Sequence, residues 1–364
     1  MRLLHKLINK RPQNLYTNLL IAVAVAVGVA TTGFLLSKSG AAGFFAGTES
    51  EQATLSGNAS LVSDAGASGG QAIAFNAPTP PPPPPPSGGV TCTGAAHHVP
   101  DGPDGTGTCW PGPLTTGVPA GTTLTNYTGS CTIQTANTVI ENKHINCRLN
   151  IRAAGIIVRN STILGVTSDS AFSGSVQIEH SEIDGGNDDS YPAVGYHDIT
   201  LIAVNLHGGQ HNYQCDNNCT ITDSWLHDTY LGATSGAHEN GFISNGGHDG
   251  LLRHNSLECN QADNGHGGGC TAATSLFGDF DAISRFTFDH NLYVSPDVGS
   301  YCAYGGSGKS GLPDRVVFTN NIFQKGPNGH CGYYGPITAF DPARPGNVWT
   351  NNKYDDGTVV NSSL

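Results

Sequence analysis

Asp184, His207, His227 and Glu258 fall one apiece just after four consecutive copies of a short recurring pattern. A carboxylate beside an imidazole orients the ring and raises its pKa, as a general acid or base requires. Asp184–His207 and His227–Glu258 are the two pairs the spacing suggests. The stretch "HENGFISNGGHDGLLRHNSLEC", His238 to Cys259, adds His238 and Glu239 as further catalytic candidates. Its remaining polar residues suit scaffold roles: His248 and Asp249 read as turn residues and His254 as a bend residue. None of this chemistry works unless a repeat brings the residues into line.

The repeat is six residues long: apolar, any, Asn/His/Asp, a mostly small or polar residue, any, apolar. Nine copies occur, from "IENKHI" (Ile140–Ile145), "VRNSTI" (Val158–Ile163) and "IEHSEI" (Ile178–Ile183) to "WTNNKY" (Trp349–Tyr354). "LIAVNL" (Leu201–Leu206) is the poorest copy, lacking the polar third residue. A basal period near 20 residues is too short for a helix pair and suits one coil of a parallel β-helix. The predicted fold class is therefore all-β, a solenoid of about nine coils with apolar side chains inward. Neighbouring rungs lie ~4.8 Å apart, which sets Asp184, His207, His227 and Glu258 in a row. Asn255, Asn291, Asn321 and Asn352 share the fourth position, where an amide ladder would satisfy backbone groups at a bend. His180, His254 and His290 share the third position with Asn and Asp, and read as bend residues.

Longer coils gain their extra residues after the motif: 208–218, 228–237, 259–274 and 295–300. These are expected as loops flanking the row and forming a cleft, the usual setting of a binding site. Asp228, Tyr213, Tyr230 and Asp279 are the substrate-binding candidates within reach of it. Trp225, Tyr301, Tyr333 and Tyr334 are further aromatics that suit a glycan groove. The ten cysteines, an even number between Cys92 and Cys331, read as disulfides of an exported chain. Local spacing suggests 92–109, 131–147, 215–219, 259–270 and 302–331. No CxxC pair occurs, and no metal ligands are assigned.

Charge and hydropathy divide the chain. Arg2, Lys6, Lys10, Arg11 and Lys38 hold five of the sixteen basic residues, so the remainder sets 28 acidic groups against 11 basic ones. Such a body repels nucleic acid. The uncharged run "LLIAVAVAVGVATTGFLL", residues 19–36, spans ~27 Å as a helix, close to a bilayer core. The basic residues before it keep the N-terminus cytoplasmic. A cleaved signal peptide is the alternative, and either way the body is exported. The expected organisation is a basic cytoplasmic segment (1–18), a transmembrane helix or signal anchor (19–37), a flexible stalk (38–89) and a β-helix body (90–364). The stalk ends in "PTPPPPPPPSGG", a stiff polyproline spacer. Within it, "SEQATLSGNASLVSDAGASGGQAIAF" resembles a piece of an exported carbohydrate-binding β-sandwich, too short to be a complete module.

The segments "GVPAGTTLTNYTGSCTI", "SEIDGG", "DSWLHD", "SLFGDF" and "PGNVWTNNKYDDG" give the body a resemblance to exported bacterial right-handed parallel β-helix repeat proteins of the pectate-lyase-like superfamily. That resemblance implies the fold and a polysaccharide or cell-surface glycan as partner, but no single reaction. Many relatives carry a segment built like H-x-D-G-I where this chain reads H-E-N-G-F; Asn240 stands in the slot usually filled by Asp, so no acidic role transfers to it. Three functions are expected in outline: a surface polysaccharide lyase or glycoside hydrolase, a non-catalytic glycan-binding adhesin, or a structural envelope protein. A calcium-dependent lyase with a Lys or Arg base is poorly served, because Arg253, Arg285, Lys309 and Arg315 all miss the row; a histidine base stays open. For hydrolysis with inversion two carboxylates must stand ~6.5–9.5 Å apart. Asp184 and Glu258 are three rungs apart, roughly 14 Å, which leaves Glu258 with Asp228 or Glu239. No cofactor is required by any motif, with calcium the one ion considered (Asp279 and Asp281 as ligands). The chain is expected to act as a monomer.

Overall fold

The computed structural model describes residues 92–362 apart from 94–95, 169–170 and 296–297, together with the strands Ala59–Ser63 and Gln71–Phe75. The chain divides into two units, Met1–Gly88 and Gly89–Leu364. In the first, the two strands pair antiparallel, Ala59 against Phe75 and Ser63 against Gln71. The expected basic segment, membrane span and polyproline run lie outside the described residues.

The second unit is an all-β stack of repeating parallel strands, the arrangement of a β-solenoid. Every motif copy ends in a strand of two or three residues, and these belong to one ten-stranded parallel sheet running from Thr125–Asn126 to Lys353–Tyr354. A second, sixteen-stranded sheet contains two rows of strands, joined through the long strands Val194–Ile202 and His211–Thr222. Each coil thus contributes up to three strands in sequence. The motif's last apolar residue forms one inward column, in which Ile163, Ile183, Leu206, Leu226, Leu257, Tyr293, Phe323 and Tyr354 are each paired with the next. The first apolar residue forms another, with Phe288 stacked on Phe318 at 4.5 Å. Stacking identical positions buries a continuous core that no single coil could bury alone.

The third and fourth motif positions make the bend between the two sheets. All nine third-position residues have a left-handed backbone: Asn142, Asn160, His180, Ala203, Asp223, His254, His290, Asn320 and Asn351, with φ from 43° to 58°. Asn and Asp tolerate that conformation because their short polar side chains bond locally, and L-residues otherwise strain there. Ala203 has neither local bonding nor the freedom of glycine. Ala203→Gly is therefore expected to raise stability by about 0.5–1 kcal/mol, measured as a higher urea midpoint; an unchanged or lower midpoint would show that the bend is not strained.

At the fourth position the predicted ladder is present. Asn255, Asn291, Asn321 and Asn352 are buried, and each of the first three donates its backbone N–H to the side-chain oxygen of the next. The side-chain NH2 of Asn291 also donates to Leu252 O and Asn321 Oδ1. Serines extend the ladder toward the N-terminus: Ser161 N donates to Ser181 Oγ, and Ser224 N to Asn255 Oδ1. The five disulfides pair as the spacing suggests.

Two expectations about loops are corrected. Residues 211–218 are not a projecting loop but the first part of the strand His211–Thr222, whose Tyr213, Cys215, Cys219 and Ile221 are buried. Alternate residues of this stretch face the core, so cysteine and tyrosine serve as apolar strand residues. The Cys215–Cys219 bridge spans a bulge in that strand, where the pairing slips between Tyr196 and His197. His248 and Asp249 likewise lie in a strand, Gly247–Arg253, and Asp249 ion-pairs with Arg285.

Candidate functional site

The ten-stranded sheet fixes the row by backbone pairing. Asp184 stands opposite His207. Leu206 pairs with Leu226 and Leu226 with Leu257, which brings His207, His227 and Glu258 onto successive rungs one residue later. Their side chains share the outward face because Ile183, Leu206, Leu226 and Leu257 take the inward one.

His207 is the centre of the first cluster. Its Nε2 lies 3.0 Å from Glu182 Oε1, and its Nδ1 lies 3.6 Å from Asp184 Oδ1. The nearer carboxylate is diagonal, two residues before the rung-mate, a normal reach for cross-strand neighbours. Burial opposes charging of His207, but Glu182 and Asp184 outweigh it and raise the ring's pKa. The same hydrogen bond from His207 holds Glu182 below the usual carboxylate range.

His227 does not pair with Glu258. Its Nδ1 lies 2.7 Å from Asp228 Oδ2 and its Nε2 2.7 Å from Asn205 Oδ1. The ring is buried and lies on Trp225 with centroids 3.5 Å apart. Burial prevails over Asp228 and lowers its pKa. His227 is thus a neutral, enclosed ring that fixes Asp228 rather than an exposed acid or base. Burial tends to raise the Asp228 pKa, but hydrogen bonds from Asn260 and His227 lower it overall. Asp228 is exposed and ionised.

Glu258 completes the row on the next rung. Burial pushes its pKa up to about 7, and the charge of Asp228 adds to the shift. The end of the row therefore holds one ionised carboxylate and, under its electrostatic influence, one carboxyl that titrates near neutrality. Two environments pushing a carboxyl pair apart is the pattern that assigns an acid and a base.

His238 and Glu239 open the strand His238–Ser244, in the other sheet, and share no hydrogen bond or ion pair with the row. Glu239 is fully buried, and neither carboxylate oxygen has a hydrogen-bond partner. Burial, with Asp189 adding to it, pushes its pKa up to about 9. It cannot touch a ligand where it stands. Between about pH 5 and 9 an unfolded Glu is ionised while native Glu239 keeps its proton, so native stability falls as pH rises. Glu239→Gln should remove that dependence. Relative to the parent, the variant gains up to about 1.4 kcal/mol per pH unit across the window, read from urea unfolding at several pH values. A difference that does not change with pH would mean the native carboxyl is ionised.

The remaining substrate-binding candidates divide. Tyr213 is wholly buried and donates its hydroxyl to Ile199 O, so it is a core residue. Asp279 follows the strand Gly269–Gly278 and ion-pairs with Lys309, at the corner between the two rows of the large sheet rather than at the row's corner. Tyr230 is half-buried, in the 228–237 loop beside the row. That loop and 259–268 flank it, the second closed by the Cys259–Cys270 bridge; residues 269–274, expected in the same loop, instead open the strand Gly269–Gly278. Tyr301, Tyr304, Tyr333 and Tyr334 form a ring cluster farther along the coils, with Tyr333 and Tyr334 exposed.

A second group of chemical side chains lies at the other end of the short strands. His254 and His290 do occupy the bend, but their rings also converge on Asp104, a residue the sequence reading never singled out. The three line a pocket of about 580 Å³ with Thr106, Thr108, Asp223 and Arg253. Some 150 residues separate Asp104 from His254, so no spacing rule could have joined them. Comparison with protein-family models, curated proteins and solved structures gives no match.

Proposed function

We propose that this chain is an exported enzyme that cleaves an extracellular polysaccharide by acid–base hydrolysis at the row, with Glu258 as general acid and Asp228 as general base. The observation that carries this reading is the electrostatic coupling of Glu258, whose pKa burial raises to about 7, to the exposed and ionised Asp228. Protonating the leaving oxygen and activating water are the two tasks such a pair performs. Glu182 and Asp184 would orient and charge His207, which suits it to bind substrate hydroxyls or a uronate carboxylate. Both His207 nitrogens already face carboxylates, Glu182 and Asp184, so the histidine-base elimination is the weaker mechanism. The flanking loops and the exposed tyrosines supply the apolar faces on which sugar rings stack.

Within this reading the solenoid is a right-handed parallel β-helix of the pectate-lyase-like type, held at the cell surface by residues 19–37. The test is the purified protein against a panel of neutral and acidic polysaccharides. New reducing ends without ultraviolet absorbance of an unsaturated uronate would support hydrolysis, and that absorbance would favour elimination. Binding without any product would favour the adhesin. Neither product nor binding on any glycan would remove the carbohydrate reading altogether.

A further inference from the structure

We infer that Asp104, His254 and His290 form a binding site for a divalent transition-metal ion of the zinc class. His254 Nε2 lies 3.5 Å and His290 Nε2 3.4 Å from Asp104 Oδ2. Metal bonds of ~2.0–2.1 Å at tetrahedral angles place ligand atoms roughly 3.3–3.4 Å apart, so both separations match two edges of a tetrahedron. All three donor atoms lie within 4.8 Å of one another.

The donors' other contacts favour an ion. His254 Nδ1 lies 2.6 Å from Asp223 Oδ1. A carboxylate only accepts, so Nδ1 donates to Asp223 and Nε2 is the atom left facing Asp104. His254 Nε2 is buried without a hydrogen-bond partner although Asp104 Oδ2 lies 3.5 Å away. A cation between the two would satisfy both atoms, and the carboxylate–imidazole pair behind it is a common support of metal-binding histidines. Asp104 is presented as a fixed anion: its side chain is buried, and Thr106 and Thr108 each donate a backbone N–H and a hydroxyl to it. Both imidazoles lie against Trp110, at centroid distances of 5.5 and 5.0 Å, and against each other at 5.3 Å. Two nitrogens and one carboxylate are too few oxygens for calcium and suit zinc.

All three side chains line the pocket, which leaves room for a water or a small ligand to complete the coordination. The ion would also bridge the segment closed by the Cys92–Cys109 disulfide to the coils of His254 and His290. This site is separate from the row, and its test does not depend on any glycan.

The experiment takes the full chain, strips it with a chelator, and titrates Zn2+ by calorimetry and thermal melting. One equivalent should bind and the melting temperature should rise. His254→Ala and His290→Ala should each weaken binding at least about tenfold and abolish the thermal shift, while His248→Ala should keep both. Co2+ added to the unmutated protein should give the intense visible bands of a tetrahedral ion, which decides the matter if a variant does not fold. No binding at micromolar Zn2+, binding retained by the His254→Ala/His290→Ala double variant, a preference for Ca2+, or only weak octahedral Co2+ bands would each overturn the inference.

Discussion

Glu258→Gln is expected to lower turnover of a cleaved polysaccharide by two to four orders of magnitude, the usual contribution of a positioned general acid, with KM changed little. Glutamine keeps the shape and the hydrogen-bonding reach but cannot deliver a proton. The pH profile supplies an independent check. A general acid must be protonated, so activity is present below the Glu258 pKa and is lost as pH rises through about 7. A base must be ionised, and with the Asp228 pKa lowered its limb falls well into the acid range. The profile should therefore have its alkaline limb near neutrality. Asp228→Asn should remove activity as well and, by taking away the adjacent negative charge, lower the Glu258 pKa. Full activity in Glu258→Gln, or an alkaline limb that stays in place in any partly active Asp228 variant, would contradict the assignment.

The second large effect concerns stability. Asn321→Ala should cost about 3–5 kcal/mol, because it removes four hydrogen bonds of the buried ladder at once. Asn291 N–H loses its acceptor Asn321 Oδ1, and Phe288 C=O loses its donor Asn321 Nδ2. Asn320, one position earlier, is exposed with φ 58°; Asn320→Gly satisfies the same backbone and should shift stability by less than about 1 kcal/mol. Urea unfolding of the two variants side by side measures the contrast. Because coils contact only their neighbours, the Ala variant should also broaden the transition as the C-terminal coils uncouple. Equal effects at the two positions would mean that the ladder carries no special share of the stability.

The sequence made the coils readable because one short motif recurs with apolar residues at fixed places, and backbone pairing converts that recurrence directly into register. The alignment of Asp184, His207, His227 and Glu258 follows from the motif alone. Which side chains then touch does not. His207 reaches diagonally to Glu182 and His227 to Asn205 and Asp228. Glu182 shares a strand face with Asp184 two residues on, a relation the alternation of the strand already contains. Tyr213 and Glu239 lie buried for a different reason: a polar or aromatic residue in a long coil can face inward, and spacing does not say where a loop ends and a strand resumes. The convergence of His254 and His290 on Asp104 depends on a segment outside the repeat.

Backbone hydrogen bonds, not side chains, set the interval along the row. Distances between groups on the same column come in whole rungs, each ~4.8 Å, so the solenoid offers a stepped scale rather than a continuous one. A reaction that needs an intermediate separation cannot be served by two members of one column. Asp228 sits one residue beyond its place in the column, where the strand has ended and a loop begins. That single-residue offset frees it from the fixed spacing and lets the loop tune how far it stands from Glu258. Changes of specificity in such a scaffold would then come by two routes: insertion or loss of a whole coil, which moves groups by a full step, and alteration of the 228–237 loop, which makes the fine adjustment.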